Sequence, residues 1–129
     1  MAAKPHSGLS RRERQIMDIL YQRGKATAAE VQEALEAGPG YSAVRAMLRI
    51  LEEKGHARHQ QDGPRYVYLP KIPRERLKKP VLAHLVETYF EGSVEQAVTA
   101  LLDGSARRMS PEELDRLAVL IDRAKRGER

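Results

Sequence analysis

Arg45 and Arg49 lie four residues apart and share one predicted helix face with Ser42 and Ala46. At 100° per residue, Val44, Met47, Leu48 and Leu51 fill the opposite arc. An arginine can fork two N–H donors onto a guanine edge or a phosphate. Small neighbours let such a helix enter a major groove about 12 Å wide. Taken alone, the face is equally well a solvated one. A second basic feature follows at once. Arg58 and Arg65 are expected to flank a hairpin tip at Asp62-Gly63, with an exposed Lys54 just before it. Side chains so placed meet phosphates, adding affinity without sequence choice. Tyr66 and Tyr68 are two apart and share a strand face, which the sequence leaves open as core or DNA-facing; core fits Tyr68 better.

Other chemistries find less support. His56 and His59 are three apart, so in a strand they point to opposite faces, and no Asp/Glu/His cluster stands beside them at ligand spacing. No metal or cofactor is implied. The chain has no cysteine, which excludes disulfides, cysteine zinc sites, thiol nucleophiles and thiol sensors. It carries no glycine-rich phosphate loop and no nucleophile elbow, so no enzyme is indicated. Across 129 residues, 23 Lys/Arg against 18 Asp/Glu give a net charge of +5. That balance suggests an acidic partner, nucleic acid first. Residues 1–73 hold 12 Lys/Arg and 8 Asp/Glu; residues 74–129 hold 11 and 10, so the excess sits mainly in the first part. No apolar run approaches the roughly 18 residues of a membrane span, and the start lacks a secretory pattern, so a cytoplasmic protein is expected.

The elements that must position these residues are signalled by caps. Ser10-Arg-Arg-Glu13 and Thr27-Ala-Ala-Glu30 read as capping boxes. The first opens a helix with Ile16, Met17, Ile19 and Leu20, closed at Gly24; the second opens a short helix with Val31 and Leu35. Gly38-Pro39-Gly40 breaks the chain before the arginine-bearing helix, about Tyr41 to Lys54, which Gly55 ends. A short helix, a tight turn and a second helix have helix-turn-helix spacing, and the basic hairpin after it reads as a wing.

Pro70-Lys-Ile-Pro73 opposes regular structure and marks a boundary. Beyond it a helix within 74–91, kinked or restarted at Pro80, carries Leu82, Leu85, Val86, Tyr89 and Phe90. Ser93 caps a helix with Val94, Val98 and Leu101, broken at Asp103-Gly-Ser105; Ser110-Pro-Glu-Glu113 caps a last helix with Leu117 and Ile121. About 50 residues are marginal as a lone folding unit, and these apolar positions are many for that size. They pack on the first domain or pair with a second copy; the proline-marked boundary favours pairing. The expected architecture is mainly α with a small β wing: a flexible N-terminus (1–8), a winged helix-turn-helix domain (9–70) and a three-helix dimerisation domain (71–127).

Leu9-Ser-Arg-Arg-Glu13, Thr27-Ala-Ala-Glu30-Val31, Tyr41-Ser-Ala-Val-Arg45-Ala-Met-Leu48-Arg-Ile-Leu51, Gly63-Pro-Arg-Tyr-Val-Tyr-Leu-Pro70, Tyr89-Phe-Glu-Gly-Ser93 and Met109-Ser-Pro-Glu-Glu-Leu114 stand in that order. Together they resemble the penicillinase-repressor (BlaI/MecI/CopY) family over about residues 9–124. The resemblance implies a homodimeric winged-helix repressor on a dyad operator, often with TACA/TGTA-like half-sites. It matches Ser42, Ala43, Arg45 and Ala46 to groove-facing positions, Arg65 to the wing, and Thr27 to a helix start whose N–H groups can face a phosphate. Relatives often carry Thr where this chain has Ala43 and Ala46. Lactam-responsive members are cut by a membrane sensor protease at an Asn-Phe bond, for which Val98-Thr-Ala-Leu101 stands here. Copper-responsive members use a cysteine motif, which this chain lacks. Two readings compete: a winged-helix protein-interaction module, whose DNA association would be weak and salt-insensitive, and a sequence-blind architectural DNA binder, which would leave no operator footprint.

Overall fold

The structure, a computed structural model, describes residues 8–105 and 108–128. Of the N-terminal segment 1–8 expected to be flexible, all but Gly8 lies outside the described residues. The described elements run α1 (Arg11–Arg23), β1 (Ala26–Thr27), α2 (Ala28–Ala34), α3 (Tyr41–Glu53), β2 (Ala57–Asp62), β3 (Arg65–Pro70), α4 (Arg74–Tyr89), α5 (Val94–Ser105) and α6 (Pro111–Lys125). Two compact units divide the chain, Met1–Ala83 and His84–Arg129.

In the first unit, α1 and α2 begin where their capping boxes place them. Ser10 Oγ accepts from the Glu13 N–H (3.1 Å) while the Glu13 carboxylate accepts from the Ser10 N–H (2.9 Å). Thr27 and Glu30 repeat the exchange. Ile16, Met17 and Leu20 of α1, Val31 and Leu35 of α2 and Val44, Leu48 and Leu51 of α3 bury together. Each such side chain contributes about 1.5–3 kcal/mol relative to an exposed one. Ala57 and Tyr68 close the core from the sheet.

Gly55 (φ 85°) turns the chain from α3 into the sheet. Its N–H reaches the Glu52 carbonyl and that of His56 reaches the Leu51 carbonyl, so the last carbonyls of α3 stay paired. The antiparallel sheet has the order β1-β3-β2. The β2–β3 register runs from Ala57 opposite Pro70 to Asp62 opposite Arg65. The two-residue turn is therefore Gly63-Pro64. Gly63 takes φ 61° and proline fixes the next φ near −65°, the geometry of a type II′ hairpin. β1, a two-residue strand pairing Ala26 with Tyr68 and Thr27 with Val67, is added to the expected elements. This is a winged helix: α1-β1-α2-α3 followed by a β2–β3 wing.

The first unit runs past the prolines at 70 and 73. The Tyr21 hydroxyl donates to the Ile72 carbonyl (2.9 Å), and Leu77 on the first turns of α4 is 6% exposed. Burial pushes the Tyr21 phenol up, which keeps it a donor. Helix α4 is one continuous helix with Pro80 inside it, neither ended nor restarted there. In the second unit, α6 starts at the Ser110–Glu113 capping box with Pro111 in its first turn. Ser93 Oγ accepts from the Gln96 N–H at the start of α5. Helix α5 continues through Asp103 and Gly104 to Ser105 and is not broken there. Gly104 is not at positive φ, and a helical glycine costs only about 1 kcal/mol relative to alanine.

Candidate nucleic-acid interface

The outward face of α3 and the wing enclose an open groove of about 580 Å³. Ser42, Arg45, Ala46 and Arg49 form its helix wall; His59, Tyr66 and Tyr68 form the other. A second groove of about 430 Å³ adjoins it at Arg45 and Tyr66 and extends to Thr27, Ala28, Gln61 and Arg65. Arg45 thus stands where both meet. Its guanidinium lies 6.0 Å from the Tyr41 ring centroid, a cation–π distance. Small side chains at 42 and 46 leave the arginines as the tallest groups on that wall.

The charge is graded along α3. Its beginning carries Ser42 and Arg45, whereas Arg49 lies 3.9 Å from Glu53 in a fully exposed pair of little energetic weight. Glu52, one residue earlier, sits 2.6 Å from His59 Nδ1. Carboxylates at the end of the helix repel phosphates, so the attractive part of the face is its first half. A recognition helix reads bases with its N-terminal residues.

Aromatic rings tie the two wing strands together, and His59 joins them to α3 through Glu52. His59 stacks on Tyr66 at 4.2 Å between centroids and 16° between planes, and Tyr68 meets Tyr66 edge-on at 6.4 Å. Tyr68 is buried at 5% exposure while Tyr66 keeps 41%, so one strand face serves core and groove at once. Burial, with the Glu52 carboxylate, raises the Tyr68 phenol and keeps it neutral.

The penicillinase repressor family matches residues 9–123 of this fold. The chain belongs to that family. As a penicillinase repressor family member it falls among DNA-binding regulators of transcription. No curated protein matches it. Among solved structures it is similar to TrmBL2, an archaeal chromatin protein whose structure "shows a novel mode of DNA binding", at 27% identity and a TM-score of 0.46. The alignment covers 82% of this chain and 40% of that one, so this chain spans two fifths of that protein's length.

Of the residues singled out in the sequence, Ser42, Arg45, Ala46, Arg49, Thr27 and Arg65 line the two grooves of this family member. Ala43 is exposed but lines neither. Thr27 spends its oxygen as the α2 cap and brings the Glu30 carboxylate with it; both Thr27 hydrogen bonds hold that carboxyl below its usual range. Two placements differ from expectation. Arg58 does not flank the tip. It pairs with Leu69 near the hairpin base and lies beside Leu20, Tyr21 and Pro70, whereas its neighbour His59 faces α3. A two-residue turn at 63–64 leaves four residues of strand between Arg58 and the tip, and the strand alternation points it away.

Lys54 does not stand free for phosphate either. Its Nζ lies 2.8 Å from Glu13 Oε1 and 3.0 Å from the Gly8 carbonyl, joining the end of α3 to the start of α1. Glu13 is buried, and Lys54, with the Ser10 N–H, holds its carboxyl below the usual range. Tyr41, Gln61, Glu52 and His59 are groove residues that the sequence reading missed. Tyr41 had a visible signal: it is four before Arg45 on a helix, where side chains meet.

Proposed function

We propose that this chain is a sequence-specific repressor that binds a dyad operator in the cytoplasm as a homodimer. The observation that carries the reading is the arginine-bearing, otherwise small face of α3 standing open beside a braced wing. Arg45 forks onto a guanine edge, Ser42 and Ala46 let the helix seat, and Arg49 and Arg65 hold phosphates. A second copy supplies the other half-site through the apolar side chains of α4–α6. Leu82, Leu85, Tyr89, Val94, Val98, Leu101 and Ile121 are exposed, and Val86, Phe90 and Leu117 are half-buried. Exposed apolar side chains in such number favour a protein partner. A membrane sensor protease would have to unwind α5 to cut near Thr99-Ala100, since Thr99 Oγ1 is bonded to the Glu95 carbonyl within the helix.

The test is a footprint on the promoter of the chain's own operon, at stated salt, with wild type and Arg45→Ala/Arg49→Ala. A protected dyad lost in the double variant is the expected result. Unchanged specific and non-specific affinity would overturn the assignment of α3. Weak, salt-insensitive association would indicate a protein-binding winged helix, and tight binding without a footprint an architectural one.

A further inference from the structure

Away from both grooves, α1 and the first turns of α4 enclose a cavity of about 260 Å³, all of whose lining belongs to the first unit. Met17, Ile72, Leu77 and Val81 give it apolar walls. Its lining also includes Arg74 and Lys78 of α4, Asp18 of α1 and His56. Leu77 and Val81 stand four apart on α4, as do Arg74 and Lys78, so one helix face offers both an apolar wall and two cations. The Lys78 ammonium lies 2.8 Å from Glu75, an exposed pair whose carboxylate also feels the Arg74 charge, while the Arg74 guanidinium itself makes no hydrogen bond or ion pair among the described residues. A concave apolar wall with a few convergent polar groups is how proteins hold small ligands.

We propose that this cavity is a binding site for a small monocarboxylate with an apolar body of about ten non-hydrogen atoms, its carboxylate on Arg74. The apolar body lies between Met17 and Leu77, whose thioether and branched side chains adapt to an aromatic or aliphatic group. The inference does not rest on the repressor reading, because nothing in it involves DNA. A bound acid would brace α4 against α1, next to the bond from Tyr21 to the Ile72 carbonyl.

Amide-resolved NMR titration of the full chain tests this, with phenylacetate as probe and phenylacetamide and benzylamine as controls. Phenylacetate is expected to move resonances of α1 and residues 72–81, saturating with a Kd on the order of 1 mM for a ligand of that size. The amide and the amine are expected to bind about tenfold more weakly or not at all. Arg74→Gln should abolish the preference for the acid over the amide. Met17→Trp, which fills the space, should abolish binding of all three; if that variant does not fold, the Arg74→Gln result decides. Shifts confined to Arg45, Arg49 and Arg65, equal binding of acid and amine, or no saturable shifts would each overturn the proposal.

Discussion

The two units of this chain treat their apolar side chains in opposite ways. Ile16, Leu20, Val31, Val44, Leu48 and Leu51 of the first are fully buried among one another. In the second, Ala97 is the one hydrophobic residue found buried among those described, while Leu85, Tyr89, Val94, Val98, Leu101, Leu114, Val119, Leu120 and Ile121 are exposed. Both have good helical caps, so the contrast is not one of secondary structure. The first unit owes its core to three helices and a sheet that converge on one point. The second has the apolar surface of α5, α6 and the end of α4 and little to bury it against within itself. Stability in the first is therefore a property of one chain. In the second it is tied to whatever covers it, and depends on concentration if that is another copy.

The largest effect expected follows from that dependence. Leu101→Asp together with Tyr89→Asp puts charge on the exposed arc, and in the homodimer reading should leave a monomer by sedimentation. Operator affinity should fall about 100-fold or more, because the second half-site is no longer tethered. A double variant that sediments as a monomer yet binds the operator as wild type would remove the dimer from the mechanism. The complementary change, Leu48→Ala, should cost about 2–5 kcal/mol in urea unfolding of the first unit, independent of protein concentration. If the Leu48→Ala cost scales with concentration instead, the contrast between the units is wrong.

How much of this was legible in the sequence divides along the same line. Capping boxes at Ser10, Thr27 and Ser110 are local, four-residue signals, and each helix begins where its box says. The outward face of α3 follows from periodicity alone. What sequence could not supply is set by partners far along the chain. Glu13 and Lys54 are 41 residues apart, and only folding brings them together, turning an expected phosphate contact into an internal ion pair. Arg58 was misplaced for a subtler reason. The turn is centred on Gly63-Pro64, so counting from Asp62-Gly63 misjudges which residues reach the tip. The two residues of β1 are too short to give any pattern of alternation. At Asp103-Gly104 a turn signal was outweighed by helix on both sides of it.

The arginines rank next. Arg45→Ala should cost about 1–3 kcal/mol of operator discrimination at one base position if the guanidinium forks onto a guanine, read as relaxed specificity in a competition assay. Uniform weakening across all DNA sequences would assign Arg45 to phosphate instead.

The Lys54–Glu13 pair gives a smaller effect with a definite pH signature. Lys54→Met leaves a buried carboxylate without its cation. Since the Lys54 side chain keeps 39% of its exposure, solvent screening limits the loss to about 1–2 kcal/mol at neutral pH. Glu13 is held below its usual range in the folded state, so its contribution is fully present above the unfolded-state value and fades as pH falls through the folded one. The gap between wild type and variant in urea unfolding should therefore close in acid. A gap that stays constant down to low pH would mean Lys54 stabilises through its bond to the Gly8 carbonyl and not through Glu13.

The smallest expected effect separates the two wing arginines. Arg65 is 66% exposed in its side chain and makes a 3.3 Å contact to an equally exposed Asp62, which a phosphate can displace. Arg65→Ala should flatten the dependence of log affinity on log salt by about one unit, for specific and non-specific DNA alike. Arg58→Ala should leave that slope unchanged, because Arg58 sits at the hairpin base on the side away from α3. Measured on one DNA over one salt range, equal slopes for the two variants would show that charge near the wing matters regardless of its direction. A difference would show that strand register, by choosing which arginine reaches the tip, sets the phosphate contacts.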